Sequence, residues 1–314
     1  MRRLSILTWH VHGNYLWNLT QVPHDFHVVN DPSRPVHHSG RSGSLPWGDN
    51  VFDAPVETLA DRSFDIVLFQ SREEWERTQH EILTPAQRRL PRIYIEHDPP
   101  LEHPTDTRHW VDDPDVLMVH VTPWNALMWD CGRTPTMVVE HGVQPLSEAQ
   151  YQGDLASGVV VVNHLRTRGR RLGLDVFEAM RARVPLVLYG MDSESVGGAG
   201  EIENRLLPET MARHRFFFHP IRCTSLGLAL IEAMMVGLPI VGLATTELVT
   251  VVANGVHGYI DTDPERLVEP MQELLHSPEL ARTLGAEARR NARERFGIER
   301  FVADWHSAFA RVAC

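Results

Sequence analysis

Short apolar runs separated by polar turns recur along the whole chain. Leu4 to Trp9 is apolar and β-compatible and predicts an opening core strand. Runs at Phe64 to Phe69, Arg92 to Glu96, Val116 to Val121 and Thr136 to Glu140 predict four more. Helical spacing lies between some of them, as over Glu73 to Leu83 and Trp124 to Cys131. Strands alternating with helices imply a parallel sheet covered on its faces, whose ligands bind beyond the carboxyl ends of the strands. Polar residues gather at those ends: His10 and His12, Ser71 and Arg72, His97 and Asp98, Thr122 and Asn125, His141 and Gly142. They are expected to line one crevice. Gly13, just past the first strand and beside Asn14, would let the backbone come close to a ligand.

Asp31 to Asp53 is rich in Pro, Gly, Ser and His, has no clear period, and reads as a long loop. Gln144 to Ser157 lacks periodicity and reads as a linker. A second unit then opens with Gly158 to Val162, apolar throughout as in a strand buried on both faces. Pro185 to Tyr189, Arg215 to Phe218, Leu238 to Val241 and Gly258 to Ile260 predict the rest of a second parallel sheet. Asp263 with Pro264 signals a helix start, and Pro270 then demands a kink or a later start. Ser277 with Pro278 signals a second helix, and Ile298 to Val312 reads as a third.

Two turns of this second unit carry candidate chemistry. After the strand at Gly158 come Arg166, Arg168, Arg170 and Arg171, just before a helix. Phe216 to Gly242 reads as strand, polar turn, helix, glycine, strand, with Ser225 and Gly227 where the helix begins. Free N–H groups and the positive end of the helix dipole make that turn anion-competent. Arg222 stands just before it, and Glu232 sits about a turn and a half into the helix.

Composition narrows the classes. A chain of 314 residues, 43% hydrophobic and 23% charged, is a globular composition long enough for two domains, which excludes disorder and fibre. No apolar run approaches the roughly 20 residues of a membrane span. Cys131, Cys223 and Cys314 form neither a disulfide framework nor a metal spacing, so a reducing cytoplasm is expected. A net charge of −11 argues against a nucleic-acid partner, and it gives no overall attraction to a membrane surface.

Pro220-Ile-Arg-Cys-Thr-Ser-Leu-Gly-Leu-Ala-Leu-Ile-Glu-Ala-Met-Met-Val-Gly-Leu-Pro-Ile-Val241 resembles the nucleotide-sugar motif of retaining GT-B glycosyltransferases of family four, the glycosyl transferases group 1. Thr245 to Leu248 and Asn254 to Ile260 resemble further family positions. The resemblance implies an α/β fold of two Rossmann-like domains with parallel sheets facing across a cleft. It implies an acceptor-side domain over 1–145, a linker over 146–157, a nucleotide-sugar domain over 158–297, and a last helix, 298–314, packing back on the first domain. The donor, a nucleotide-diphosphate sugar, would be held by Gly13, by two of the four arginines, and by Arg222, Ser225, Leu226, Gly227 and Leu228, with Glu232 on the ribose. His97, Asp98 and Thr224 would form the catalytic group. His12 and Asn14 would lie on the acceptor side, and the 31–53 loop over the acceptor site. Thr224 departs from the family, which has a glutamate there, and so brings no charge to the sugar. Transfer with retention, without metal or cofactor, to an unknown acceptor (glycan, lipid or small molecule) is what the likeness implies.

Two other readings stand beside it. Thr224 would also suit a nucleotide-sugar-binding relative without activity. His10-x-His12 at a first strand's end also opens binuclear metallohydrolase barrels, which would make this a zinc hydrolase. For the residues themselves the plain reading is that Glu232 and the arginines form a solvated face.

Overall fold

The computed structural model describes residues 2–34 and 36–313, so Cys314 lies outside the described residues. The chain divides into two compact units, residues 1–142 with 298–314, and residues 143–297.

The first unit is built on seven parallel strands: β1 Ser5–Thr8, β2 Asp25–Asn30, β3 Val51–Pro55, β4 Ile66–Phe69, β5 Arg92–Glu96, β6 Val116–His120 and β7 Thr136–Val138. They lie in the order β3-β2-β1-β4-β5-β6-β7, with β1, β4 and β5 side by side in the middle. Every residue of β4 and β6 is buried, as both faces of a covered parallel sheet require. Two strands were not expected. β2 mixes Asp25 and His27 into its apolar residues, and β3 begins inside the stretch read as loop and runs two residues past it. β3 is an edge strand, where Asp53 and Pro55 are tolerated because one side of its backbone needs no partner. Gly40 and Arg41 of that stretch are tied down. The His10 ring meets the Gly40 carbonyl at 2.7 Å, and the Arg41 N–H donates to Asp53 Oδ1 at 2.8 Å.

The helix Ile298–Val312 completes this unit. Phe301, Trp305 and Phe309 are fully buried, with Phe301 edge-on to Tyr15 at 5.7 Å and Phe309 edge-on to His24 at 5.3 Å. Arg300 donates to the carbonyls of Glu140 and His141 and so fastens the exit from β7.

The second unit holds β8 Leu155–Val161, β9 Leu186–Tyr189, β10 His214–His219, β11 Ile240–Leu243 and β12 Gly258–Asp261, all parallel in the order β12-β11-β10-β8-β9. Residues 146–157, read as a linker, are largely built into it. Tyr151 N–H donates to the Val236 carbonyl, those of Gln152 and Gly153 to Ala212, and β8 starts at Leu155 instead of Gly158. Ala156 and Ser157 obscured the pattern because a strand's first residues need not be apolar. Further on, Asp263 caps a 3-10 turn Pro264–Leu267, and the helix Val268–His276 starts after it. Pro270 therefore falls in a first turn, where its missing N–H costs nothing. Ser277 caps the helix Pro278–Phe296. Among the described residues no helix is long and apolar enough to cross a membrane.

Candidate functional site

In the second unit β8 and β10 are neighbours, so their carboxyl ends bring two turns together. After β8 the chain makes the short helix Leu165–Arg168, a 3-10 turn Gly169–Leu172, and the helix Leu174–Arg181. After β10 it runs irregularly to Gly227 and enters the helix Leu228–Val236. The turns dock on each other through backbone. Gly173 sits at φ 83 where any Cβ would collide with the Pro220 carbonyl, and the N–H groups of Arg222 and Cys223 donate to the Arg171 carbonyl at 3.0 and 3.2 Å.

Asp175 organises the charge. Both its oxygens accept from Arg222, at 2.6 and 2.9 Å, and Oδ2 also accepts from Arg170 at 2.6 Å. The Arg222 guanidinium beside it holds the Asp175 carboxyl below the usual range, ahead of the opposing effect of burial. Arg222 further donates to the Arg170 carbonyl at 2.9 Å. Two guanidiniums on one carboxylate leave a net positive charge on an ordered surface. Arg166 turns away and donates to the Ser195 carbonyl, while Arg168 is exposed. Of the four arginines, Arg170 joins Arg222 through its side chain on Asp175, and Arg171 through its backbone carbonyl.

The helix Leu228–Val236 has one charged residue, Glu232, on an otherwise apolar sequence. Leu230, Ile231, Ala233 and Met234 are buried, so the half-buried Glu232 marks the face that is not core. Ser225 and Leu226 are buried, Thr224 and Leu228 half-buried, and Gly227, at φ 93, has open space where a Cβ would be. That opening leaves the N–H groups of the helix start approachable. Two family-like positions serve the fold. Asn254 accepts from Ile260 N–H at 2.6 Å and donates to its carbonyl at 3.0 Å, which closes a turn, and the buried Glu247 pairs with Arg295 at 3.0 Å.

The first unit presents histidines. His97 is buried after β5, with its ring 4.2 Å from that of His12 and edge-on to Tyr15 at 4.6 Å. Burial, with the neighbouring His12 and His141, holds the His97 imidazole well below its ordinary value, and burial first, then Arg300, lowers His141 to about 3. His97 Nε2 meets Gln70 Oε1 at 3.1 Å. Gly13 opens the helix Gly13–Leu19 with His12 as its N-cap, and Asn14 follows half-buried.

Beside this group lies a cavity of about 580 Å³, lined among others by His12, His37, Gln70, Arg72, Glu96 and Asp98. The strand-end residues divide: His12, Ser71, Arg72 and Asp98 reach it, whereas Thr122, Asn125 and His141 are buried. His37 is the contribution of the 31–53 stretch. The cavity's most buried acid is Glu96, raised to about 8 by burial; its Oε2 meets His109 Nε2 at 2.9 Å and its Oε1 accepts the Asp98 N–H at 2.8 Å. Val111 N–H donates to His109 Nδ1, so the hydrogen of this imidazole, lowered to about 3 by burial, sits on Nε2 and points at Glu96. Arg72 lies 5.1 Å over the Trp110 ring. Sequence reasoning missed Gln70, Glu96 and Asp175. Gln70 and Asp175 follow features it had located, a strand end and an arginine turn, and only their partners in space distinguish them.

His10 and His12 do not converge: His10 faces Gly40 and the edge of Trp47, at 5.6 Å between rings, while His12 faces His97. Among the described residues no three His, Cys, Asp or Glu side chains form a group that could hold a metal ion.

Residues 192–291 match the family model described as glycosyl transferases group 1. Sucrose-phosphate synthase (tll1590) from Thermosynechococcus elongatus aligns over 99% of this chain and 99% of its own, with a TM-score of 0.69 at 17% identity. Anabaena Alr3699/HepE, solved in complex with UDP and glucose, aligns over 98% and 100%, with a TM-score of 0.65 at 13% identity. AviGT4, a glycosyltransferase involved in avilamycin A biosynthesis, aligns over 96% and 88%, with a TM-score of 0.60 at 14% identity. No curated protein sequence matches the chain. The resemblance to group 1 glycosyltransferases thus stands on the family model, and the two parallel α/β units match GT-B structures in fold.

Proposed function

We propose that this protein is a glycosyltransferase that moves a hexosyl group from a nucleotide-diphosphate sugar to an acceptor hydroxyl, with retention of configuration and without a metal. The observation that carries the reading is the docked pair of turns after β8 and β10. Arg170 and Arg222 converge on Asp175 there, beside a helix start left open by Gly227. A diphosphate needs positive charge and N–H donors in one place, and guanidiniums with a helix N-terminus supply both without a cation. Glu232, on the same helix, suits a pair of ribose hydroxyls. The family model over this helix and the UDP complexes of Alr3699/HepE support a nucleotide-sugar donor.

In this reading the second unit holds the nucleotide and His97 acts on the sugar, with Asp98 next to it in the chain, the His12 ring 4.2 Å from it in space and Asn14 two residues past His12. The cavity beside Glu96 is the candidate acceptor pocket. Thr224 orients a sugar hydroxyl but adds no charge, so the leaving diphosphate is stabilised mainly by the arginines. A panel of nucleotide sugars, screened by thermal shift and followed by product detection in EDTA, tests the proposal. Stabilisation by one donor and a glycosylated product are expected. Binding without hydrolysis or transfer to any acceptor would favour the inactive relative that Thr224 allows. Activity lost in EDTA and restored by a divalent ion would overturn metal independence.

A further inference from the structure

At the carboxyl ends of the three central strands of the first unit, one side chain touches all three. Gln70, which directly follows β4, is buried and donates through Nε2 to Thr8 Oγ1 in β1 at 3.2 Å and to the Trp9 carbonyl at 3.0 Å. Its Oε1 meets His97 Nε2, just past β5, at 3.1 Å. Its own N–H donates to Glu74 Oε2 at 2.8 Å, and Glu74 opens a π-helical turn, Glu74–Thr78, which fixes the backbone from which the amide projects. Turns of this kind recur at functional sites.

The chemistry of this junction has one solution. A backbone carbonyl only accepts, so the amide nitrogen of Gln70 must face Trp9, and the amide oxygen must face His97. An amide oxygen also only accepts, so His97 Nε2 must carry the hydrogen. We propose that Gln70 is a positioning residue that locks His97 as the Nε2–H tautomer, so that His97 meets the sugar as a hydrogen-bond acceptor through Nδ1 and not as a proton donor. The burial that keeps the ring neutral agrees with this assignment. It rests on the reading of His97 as a sugar-contacting residue, but the tautomer itself does not depend on that reading.

Long-range proton–nitrogen NMR correlations on histidine-labelled protein test it directly, since protonated and bare ring nitrogens have well-separated shifts. Wild type is expected to show His97 with a protonated Nε2 and a bare Nδ1 at neutral pH. The Nδ1–H tautomer, or a fully protonated ring, would overturn the proposal whatever the variants do. Gln70→Leu should release the tautomer and lower turnover about tenfold, the scale of one hydrogen bond at a reacting group, with nucleoside diphosphate affinity unchanged. Gln70→Glu, which keeps an oxygen toward His97, should preserve the tautomer even if it disturbs the contact to Trp9. Thr8→Val removes one anchor of the amide and should leave the tautomer as in wild type, which keeps the test available if Gln70→Leu fails to fold. A Gln70→Leu variant that is folded and unchanged in tautomer and turnover would remove Gln70 from the mechanism. Failure of the wild type to bind any nucleotide sugar, with the tautomer as expected, would instead defeat the functional reading and leave the positioning intact.

Discussion

The two units use the same strand-end geometry for opposite electrostatics. In the first, the groups around His97 are buried and neutral: His97 and His141 are held uncharged, and Gln70 joins His97 through dipoles alone. In the second, the charge is permanent and partly in water. Arg222 and Asp175 are about a third exposed, with side-chain exposures of 32% and 39%, and Arg170 is far more so at 76%. A fixed neutral site suits directional hydrogen bonds to hydroxyls, because it need not reorganise when the ligand arrives. A half-exposed cationic turn suits a diphosphate, whose charge must be met on arrival and released after reaction. The contrast predicts that damage to the first unit affects turnover and damage to the second affects nucleotide affinity.

The largest effect should come from His97→Ala. Turnover is expected to fall by about tenfold to a hundredfold, as for a lost directional contact made at the reacting centre, while nucleoside diphosphate affinity holds. Equal losses in both would break the division of labour. Next, Arg222→Ala should weaken nucleoside diphosphate binding by about tenfold but leave nucleoside binding nearly unchanged, since only the former carries phosphate. If titration shows the same loss for both ligands, the turn is only a solvated face. Asp175→Asn is expected to cost only a few-fold in diphosphate affinity. It loosens the two arginines without removing them, and pairs this exposed are weakly coupled. Its effect should fade at acid pH in wild type too. A carboxyl held below its ordinary value contributes its ion pair above that value and loses it as pH falls through the depressed one.

The smallest effect separates the units by stability. Burial lowers His24 and His120 to about 4 and His109 and His141 to about 3 in the first unit, and His27, His37 and His97 are lowered too; in the second only His214 and His219 are, both to about 4. A histidine held neutral by the fold contributes stability above its ordinary value of 6.5, which is lost as pH falls toward the lowered one. Glu74 and Glu96 run the other way. Raised by burial to about 8, their contribution is full below 4.5 and is lost as pH rises through 8, so it grows on acidification. They offset only part of the first unit's larger set of histidines. All eight tryptophans lie in that unit. Between pH 6.5 and 5, tryptophan fluorescence should therefore report a lower melting temperature than far-ultraviolet dichroism, which follows both units. Coincident transitions at every pH would contradict the contrast.

What could be read beforehand follows from the physics of each element. The second sheet announced itself because β8 to β11 carry runs such as Val159 to Val161 and Phe216 to Phe218, apolar as buried parallel strands must be. The strand-turn-helix at Phe216 to Gly242 was legible because φ 93 at Gly227 and φ 101 at Gly237 require glycine. β2 and β3 were not, since one mixes polar residues into its run and the other is an edge strand within a Pro- and Gly-rich stretch. The four arginines looked equivalent along the chain. Only Asp175, reached by folding, separates Arg170 from Arg166. Gln70 was invisible because an amide is defined by what its two ends face, and its partners come from two other strand ends, Thr8 and Trp9 from that of β1 and His97 from that of β5.

The central claim is that the second unit is a metal-free nucleotide-sugar site, and calorimetric titration of the whole protein in EDTA with a set of nucleoside diphosphates tests it most directly, with Glu232→Ala as the control. Saturable binding of at least one of them is expected in wild type, weakened in the folded variant by about 1.5–3 kcal/mol, as for a lost charged hydrogen bond. No binding of any nucleoside diphosphate to the folded wild type, or equal affinity in Glu232→Ala, would contradict the account.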